Sequence, residues 1–107
     1  MNIDNERLAL LGDAVLYLVI TEKYYLDHPD AKTNEIHDQR ERKKKNEWLG
    51  ETEMARALTR FMMVSNSFSI QGISQDMKAT MLEAIIGAIY LRDEEKARKF
   101  IIKLITD

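Results

Sequence analysis

Two carboxylates stand alone inside otherwise apolar segments of the chain. Asp13 interrupts the run LALLGDAVLYLVI at 8–20, and Glu83 lies among the aliphatic residues of MLEAIIGAIYL at 81–91. An unpaired charge taken out of water is costly, so such a residue needs an ionic partner, a metal ion or a raised pKa. Two isolated carboxylates of this kind suggest one shared site.

The chemistry open to this pair depends on what holds the two charges together. Carboxylates in proximity repel unless a proton or a hard cation lies between them, and ligation by oxygen alone suits Mg²⁺ or Mn²⁺. The chain has no cysteine, which excludes thiolate ligands. A structural ion pair would also explain a buried carboxylate, and the spacing does not decide between these interpretations.

Helices are the elements expected to position these residues. Proline occurs once and glycine four times, and no segment shows sustained strand-like alternation. The sequence therefore predicts an all-α fold. The expected helices run from a cap at Asp4 to about Tyr25, from a cap at Thr33, over 51–61, from a cap at Ser74 to Leu91, and lastly along a face with Ala97, Phe100, Ile101 and Leu104.

Two glycines adjoin the two carboxylates. Gly12 directly precedes Asp13, and Gly87 follows Glu83 by one helical turn. A helical glycine costs about 1 kcal/mol in propensity, but the missing Cβ lets two backbones approach closely. We expect the two helices to cross at these glycines, which would bring Asp13 and Glu83 together.

Length and composition are those of an ordinary soluble domain. The chain has 107 residues, of which 45% are hydrophobic and 32% charged, and this predicts one domain over residues 1–107. The apolar run at 8–20 is too short to span a bilayer, and the N-terminus lacks the features of a signal peptide. We therefore expect a cytoplasmic protein that does not interact with membranes.

Charge is unevenly distributed along the chain. The net charge is −2, whereas RERKKK at 40–45 places five basic residues beside one acid. Such a run is most often a solvated helical face, and a nucleic-acid interface is the alternative. The second interpretation gains weight when a metal site lies nearby.

These segments together resemble the catalytic domain of the ribonuclease III family. NERLALLGDAVL resembles that family's signature helix, of the form NERLEFLGDAVL, and MLEAIIGAIYL resembles its later segment, of the form VEALIGAIYL. NEIHDQRERKKK resembles the helix between them, and with EEKARKFI the match spans most of the chain. The resemblance implies the all-α endonuclease-domain bundle of this family, a homodimer that cuts double-stranded RNA with divalent metal ions.

Two positions depart from the family pattern. Ala9 and Thr80 stand where the family usually has a second Glu and an Asp. The Mini-ribonuclease III branch, which lacks a double-stranded RNA-binding domain, tends to have Ala and Thr there, and its middle helix resembles NEIHDQRER. The resemblance is therefore closest to that branch, although Glu6 and the NER segment are closer to the longer enzymes.

The resemblance also assigns roles to individual residues. It implies that Asp13 and Glu83 are catalytic ligands of Mg²⁺ or Mn²⁺, and that Glu6 and Glu35 are catalytic groups that orient water or ligands around them. Leu10 occupies the position that packs across the dimer interface. The residues expected to bind RNA are His37, Arg40, Arg42, Lys43 and Lys44.

The implied function is metal-dependent hydrolysis of double-stranded RNA, with the processing of RNA, ribosomal RNA in particular, as the expected setting; the sequence does not name the substrate RNA. The alternative is a catalytically inactive relative that serves as an RNA-binding or ribosome-associated dimer. A purely structural helical protein would leave Asp13, Glu83 and the basic segment unexplained.

Overall fold

The computed structural model describes residues 5–44, 56 and 75–106. Apart from the single residue Arg56, these ranges form four helices and contain no strand, which confirms the all-α prediction. The expected helix at 51–61, apart from Arg56, and the caps at Asp4 and Ser74 lie outside the described residues. The helices are α1 (Asn5–Asp27), α2 (Thr33–Lys44), α3 (Gln75–Arg92) and α4 (Glu94–Ile105).

The turn around Pro29 separates α1 from α2. Helix α1 ends at Asp27, two residues beyond the expected end, and the His28 N–H donates to the Tyr24 carbonyl at 3.0 Å. Thr33 was expected to cap α2 but is its first helical residue, because the Lys32 carbonyl already accepts the first helical bond from Ile36 at 3.1 Å. Lys32, rather than Thr33, therefore occupies the capping position before the first helical residue.

The hydrophobic core lies where α1, α3 and α4 meet. Helix α1 packs mainly against α3, and α4 contacts both of these helices. Full burial of a Leu or Ile side chain contributes about 1.5–3 kcal/mol to stability. The positions of these residues therefore determine which side of each helix faces the core. The largest fully buried side chains are Leu16, Leu82, Ile86, Ile101 and Leu104.

Helix α4 shows the clearest amphipathic pattern. Its buried residues are Ala97, Ile101, Leu104 and Ile105, and Phe100 packs against the core at one side, as predicted. Asp93 caps the helix by accepting a hydrogen bond from the Lys96 N–H at 3.1 Å. An ion pair between Arg98 and Glu22 links α4 to α1.

Helix α2 is attached in a different way. None of its residues whose burial is described is buried, so hydrophobic burial contributes little to its placement. Its inner face consists of half-buried side chains, namely Ile36, Gln39, Arg40, Glu41 and Lys43. Among the helices at 5–44 and 75–106, none combines the length and the hydropathy that a membrane-spanning segment needs.

Candidate active site

The central feature of the site is the crossing of α1 and α3 at Gly12. A Cβ built on Gly12 would overlap the Glu83 carbonyl group and lie 2.9 Å from the Gly87 backbone nitrogen. These are backbone atoms, which cannot move aside as a flexible side chain could. The two helices therefore contact each other directly through their backbones.

Gly87 meets the same crossing from the other helix. A Cβ at this position would overlap the Leu8 carbonyl oxygen and lie 3.2 Å from the Gly12 backbone nitrogen. The predicted role of the two glycines is thus confirmed. Because Asp13 directly follows Gly12, the α1 segment that carries Asp13 is held against the α3 segment that carries Glu83.

The two carboxylates differ in their exposure to solvent. Glu83 is 9% exposed and is the one buried charged residue among those whose burial is described, whereas Asp13 is half-buried. Both residues have polar or electrostatic interactions in the structure. The two helix segments that pack at the crossing therefore carry one buried and one half-buried carboxylate, both of which offer oxygen donors.

This pair fits a magnesium-type cation but not a cage made entirely of protein ligands. In the described part of the chain, no group of three or more His, Asp or Glu residues is arranged to hold a metal. Mg²⁺ is commonly bound through one or two carboxylates, with water and substrate phosphate completing its coordination. Asp13 and Glu83 could supply those two ligands.

The two positions where the sequence departs from the family pattern lie on the same helices. Ala9 is buried, one turn before Asp13, and Thr80 is half-buried, nearly one turn before Glu83. Neither residue carries a carboxylate. Compared with the pattern that the resemblance implies, the two crossing helices therefore lack two carboxylates.

The structure does not place Glu35 beside this crossing. Glu35 is exposed and lines an open cleft with Tyr24, Asp27 and His28, near the end of α1. Tyr24 is eleven residues beyond Asp13, or roughly 16 Å along the helix axis. Glu6 is exposed in the first turn of α1. The catalytic roles of Glu6 and Glu35 stay predictions.

Helix α2 contacts α1 through Tyr17, one turn after Asp13. The Tyr17 hydroxyl donates a hydrogen bond to the Glu41 carboxylate. The Arg40 guanidinium carbon lies 4.1 Å from the centroid of the Tyr17 ring, and Arg40 Nη2 lies 3.8 Å from Glu41 Oε1. Three side chains therefore join the basic helix to the helix that carries Asp13.

The other predicted RNA-binding residues are distributed around α2. His37 is exposed, and its Nε2 lies 3.8 Å from Glu41 Oε1. Arg42 is exposed, whereas the half-buried Lys43 donates to the Ile105 carbonyl at 3.4 Å. Lys44 belongs to α2, and its side chain lies outside the described part. RNA binding by this set, including Arg40, stays a prediction.

Leu10 points away from the core of this chain. It is 72% exposed, although it belongs to the same apolar run as the buried Val15 and Leu16. Ala14 and Leu18 follow it at four-residue intervals and are also exposed. This apolar stripe on α1 is available for contact with another molecule, as the predicted interface position of Leu10 requires.

Sequence reasoning missed Tyr17 and Glu41. The available signals were a tyrosine hydroxyl inside an aliphatic run and one acid inside a basic run, and each suggests a polar partner. They are 24 residues apart, so the sequence gives no indication that they pair.

Comparison with known proteins places this geometry in a family. Residues 6–94 match the family model of the Ribonuclease III domain. Ribonuclease 3 of Pseudomonas putida (strain W619) is 34% identical over 97% of this chain, and Ribonuclease 3 of Bdellovibrio bacteriovorus is 35% identical over 91%. The alignments cover 47% and 43% of those relatives, so the chain spans about half the length of the curated relatives it matches.

A solved structure agrees with the sequence relatives. The nuclease domain of ribonuclease III from Campylobacter jejuni, described for structural flexibility in a region involved in dimer formation, superimposes with a TM-score of 0.79. The two sequences are 27% identical, and the match covers 97% of this chain and 75% of that one. The predicted family is thus confirmed, whereas the assignment to the Mini-ribonuclease III branch stays a prediction. The chain belongs to the ribonuclease III family and has the helical fold of its nuclease domain.

Proposed function

We propose that this chain is the nuclease unit of an endoribonuclease that cleaves double-stranded RNA by divalent-metal-dependent hydrolysis of phosphodiester bonds. The observation that supports this most directly is the glycine crossing, which holds the buried Glu83 against the segment carrying Asp13. If Glu83 and Asp13 share a hard cation, the cation offsets both the repulsion between the two carboxylates and the cost of burying the charge of Glu83.

Asp13 and Glu83 would hold Mg²⁺ or Mn²⁺ through their oxygens. When bound, such an ion activates a water molecule and offsets the negative charge of the phosphodiester under attack. Burial of Glu83 and the rigid crossing keep the ligands in fixed positions, while the exposed side of Asp13 leaves room for water and phosphate. Positioning of this kind supplies much of the catalysis in phosphodiester cleavage.

Helix α2 would bind the RNA. His37 and Arg42 are exposed on this helix, and Lys43 and Lys44 extend the positive charge toward its end. A-form RNA offers phosphates and 2′-hydroxyls rather than readable base edges, so a basic helix recognises its shape rather than its sequence. The expected substrate is double-stranded RNA, for which processing of ribosomal RNA in the cytoplasm is the proposed setting.

A homodimer would place two such sites on one duplex. The exposed stripe of Leu10, Ala14 and Leu18 is the proposed contact, because a second copy would cover these apolar side chains across a two-fold axis. Two sites related by that axis would cut both strands of the RNA.

One observation favours a second candidate, a catalytically inactive dimer that only binds RNA. Ala9 and Thr80 remove two carboxylates from the usual inner set. The test is to incubate the purified protein with long double-stranded RNA in Mg²⁺ and in EDTA, with single-stranded RNA and duplex DNA as controls. Cleavage that requires both the RNA duplex and Mg²⁺ supports the enzyme. Tight RNA binding without cleavage in either Mg²⁺ or Mn²⁺ supports the inactive dimer.

A further inference from the structure

Helix α2 must be held in position by contacts other than buried apolar side chains. The other helices carry fully buried aliphatic residues, such as Leu16 in α1, Ile86 in α3 and Ile101 in α4. No residue of α2 whose burial is described reaches that state. A helix of this kind can shift along its neighbour at small cost unless specific polar contacts hold it.

Tyr17, Arg40 and Glu41 form such a set of contacts. The Tyr17 hydroxyl donates to the Glu41 carboxylate, and the Arg40 guanidinium covers the Tyr17 ring at 4.1 Å. Arg40 Nη2 also lies 3.8 Å from Glu41 Oε1, which closes a triangle of three side chains. The Tyr17 hydroxyl, the Tyr17 ring face and the Glu41 carboxylate together restrict where α2 lies along the axis of α1 and how α2 is rotated about its own axis.

The burial of Arg40 indicates an inward role. Its side chain is 27% exposed, and its Nε atom is buried without a hydrogen-bond partner in the described part of the chain. A phosphate-binding arginine usually presents its guanidinium edge to solvent, where both Nη and Nε can donate. Arg40 instead places its guanidinium over an aromatic ring of the same chain.

Tyr17 lies one helical turn from Asp13 on α1. The position of α2 relative to Tyr17 is therefore also its position relative to the proposed metal ligand. We propose that Tyr17, Arg40 and Glu41 are positioning residues, which fix the RNA-binding side chains of α2 relative to Asp13. The expected effect on the cleavage rate rests on the proposed function. The positioning of α2 by these three residues does not depend on that function.

Arg40 and Arg42 belong to the same basic run but have different proposed roles: Arg40 positions α2, and Arg42 contacts RNA. Arg42 is exposed, and as a proposed contact to RNA phosphate its loss should reduce the affinity and its salt dependence. Arg40 acts through Tyr17, so its loss displaces α2 and reduces the rate for bound RNA. A misplacement of about 1 Å can lower a rate by about a hundredfold.

The variants Tyr17→Phe, Glu41→Gln and Arg40→Lys test these roles, with Tyr25→Phe as the matched control. Tyr25 is 65% exposed on the same helix, so its change removes a hydroxyl without removing an anchor. The rate of double-stranded RNA cleavage is measured in single turnover at saturating enzyme. Duplex affinity is measured in a Glu83→Gln background, where cleavage is expected to be lost.

We expect Tyr17→Phe to lower the single-turnover rate by about ten- to a hundredfold while duplex affinity and its salt dependence stay unchanged. Arg40→Lys should behave in the same way, because it keeps the charge but loses the planar stack. A loss confined to affinity, with a normal rate at saturation, would make these residues RNA contacts and overturn the proposal.

The position of α2 is measured independently of activity. Because the chain has no cysteine, nitroxide labels can be attached at Asp38→Cys on α2 and Lys99→Cys on α4, both exposed sites. Their separation is recorded by double electron–electron resonance in labelled protein diluted with unlabelled protein. Tyr17→Phe should broaden or shift the distance distribution, whereas Tyr25→Phe should not.

An unchanged distance distribution in Tyr17→Phe would overturn the inference, whatever the kinetic result. If the unsubstituted protein fails to cleave RNA, the proposed function fails, and the distance measurement alone decides whether the three residues position α2. The two failures are therefore distinguishable.

Discussion

The backbone of Gly12 lies directly against the carbonyl of Glu83, with no space for a side chain between them. This contact joins the two segments that carry Asp13 and Glu83. Because backbone atoms form it, the spacing of the two helices is fixed at the point where the proposed chemistry occurs.

Gly12→Ala should therefore separate the helices. The added Cβ would overlap the Glu83 carbonyl, and overpacking costs about 1–3 kcal/mol, or more when backbone must move. Because the overlapped atoms are backbone, the upper end of this cost, about 3 kcal/mol, applies. The better helix propensity of Ala returns about 1 kcal/mol, so we expect a net loss of roughly 2 kcal/mol in the free energy of unfolding. Chemical denaturation measures it. Ala88→Ser, which adds one heavy atom at an exposed α3 position, is the control and should be nearly neutral.

Leu10→Arg should convert the proposed dimer into a monomer. The substitution places a charge in the exposed apolar stripe that a second copy is proposed to cover, and an unpaired charge in an apolar interface is strongly unfavourable. Light scattering at micromolar concentration measures the mass. Leu26→Arg, at a similarly exposed leucine near the other end of α1, should leave the dimer intact. A stable monomer for the unsubstituted protein would refute both the dimer and the paired cut.

Charge reversal on α2 should weaken RNA binding without regard to sequence. Arg42→Glu combined with Lys44→Glu removes two proposed phosphate contacts, and each contact contributes roughly one unit to the slope of log affinity against log salt. We expect the slope to fall by about two for unrelated RNA duplexes. Lys96→Glu with Lys99→Glu, two exposed changes on α4, is the control. An affinity that responds equally to both pairs would indicate a general charge effect rather than an interface on α2.

The pKa of Asp27 should respond to its neighbour Lys23. The Lys23 ammonium donates to Asp27 Oδ2 at 2.7 Å, and this hydrogen bond, opposed by some desolvation, holds the pKa of the carboxyl below its ordinary value of 3.8. The pair therefore stabilises the fold above that pH, and the contribution is lost as the pH falls through the lowered pKa. NMR titration should show that Lys23→Met raises the pKa of Asp27. An unchanged pKa would mean that the pair contributes nothing.

The helices and the glycine crossing could be predicted, because each depends on residue types that lie close together in the sequence. The apolar runs predicted α1, α3 and α4, and the polar residues that follow the turn at Pro29 predicted α2. The glycines near Asp13 and Glu83 predicted the close crossing, because a missing Cβ lets two helix backbones approach. Helix α2 begins at Thr33 as predicted, but the capping position is Lys32 rather than Thr33, because the Lys32 carbonyl accepts the first helical bond.

Contacts between distant residues could not be predicted in this way. The sequence treats Arg40 and Arg42 as equivalent members of one basic run, whereas the fold turns one inward onto Tyr17 and leaves the other exposed. The position of Glu35, in a cleft near the end of α1, depends on the turn at Pro29 and on the packing of α2. Both outcomes depend on tertiary placement.

Divalent cations should stabilise the protein through the two carboxylates. A ligand at a hundredfold excess over its Kd stabilises the folded state by about 2.7 kcal/mol, which is visible as a rise in Tm. Asp13→Asn and Glu83→Gln should abolish the rise caused by Mg²⁺. Without Mg²⁺ these substitutions should be neutral or stabilising, because they relieve repulsion between the carboxylates. A structural ion pair predicts a loss of about 3–5 kcal/mol instead.

Asp13 and Glu83 are together proposed to perform metal-dependent cleavage of double-stranded RNA. The most direct test is the single-turnover cleavage rate in Mg²⁺ of Asp13→Asn and Glu83→Gln, measured beside Asp30→Asn and Glu94→Gln, which neutralise exposed carboxylates. We predict that each of the first two lowers the rate by roughly a hundredfold or more while the dimer persists, and that the controls cleave normally. Full cleavage by either Asp13→Asn or Glu83→Gln would contradict the account.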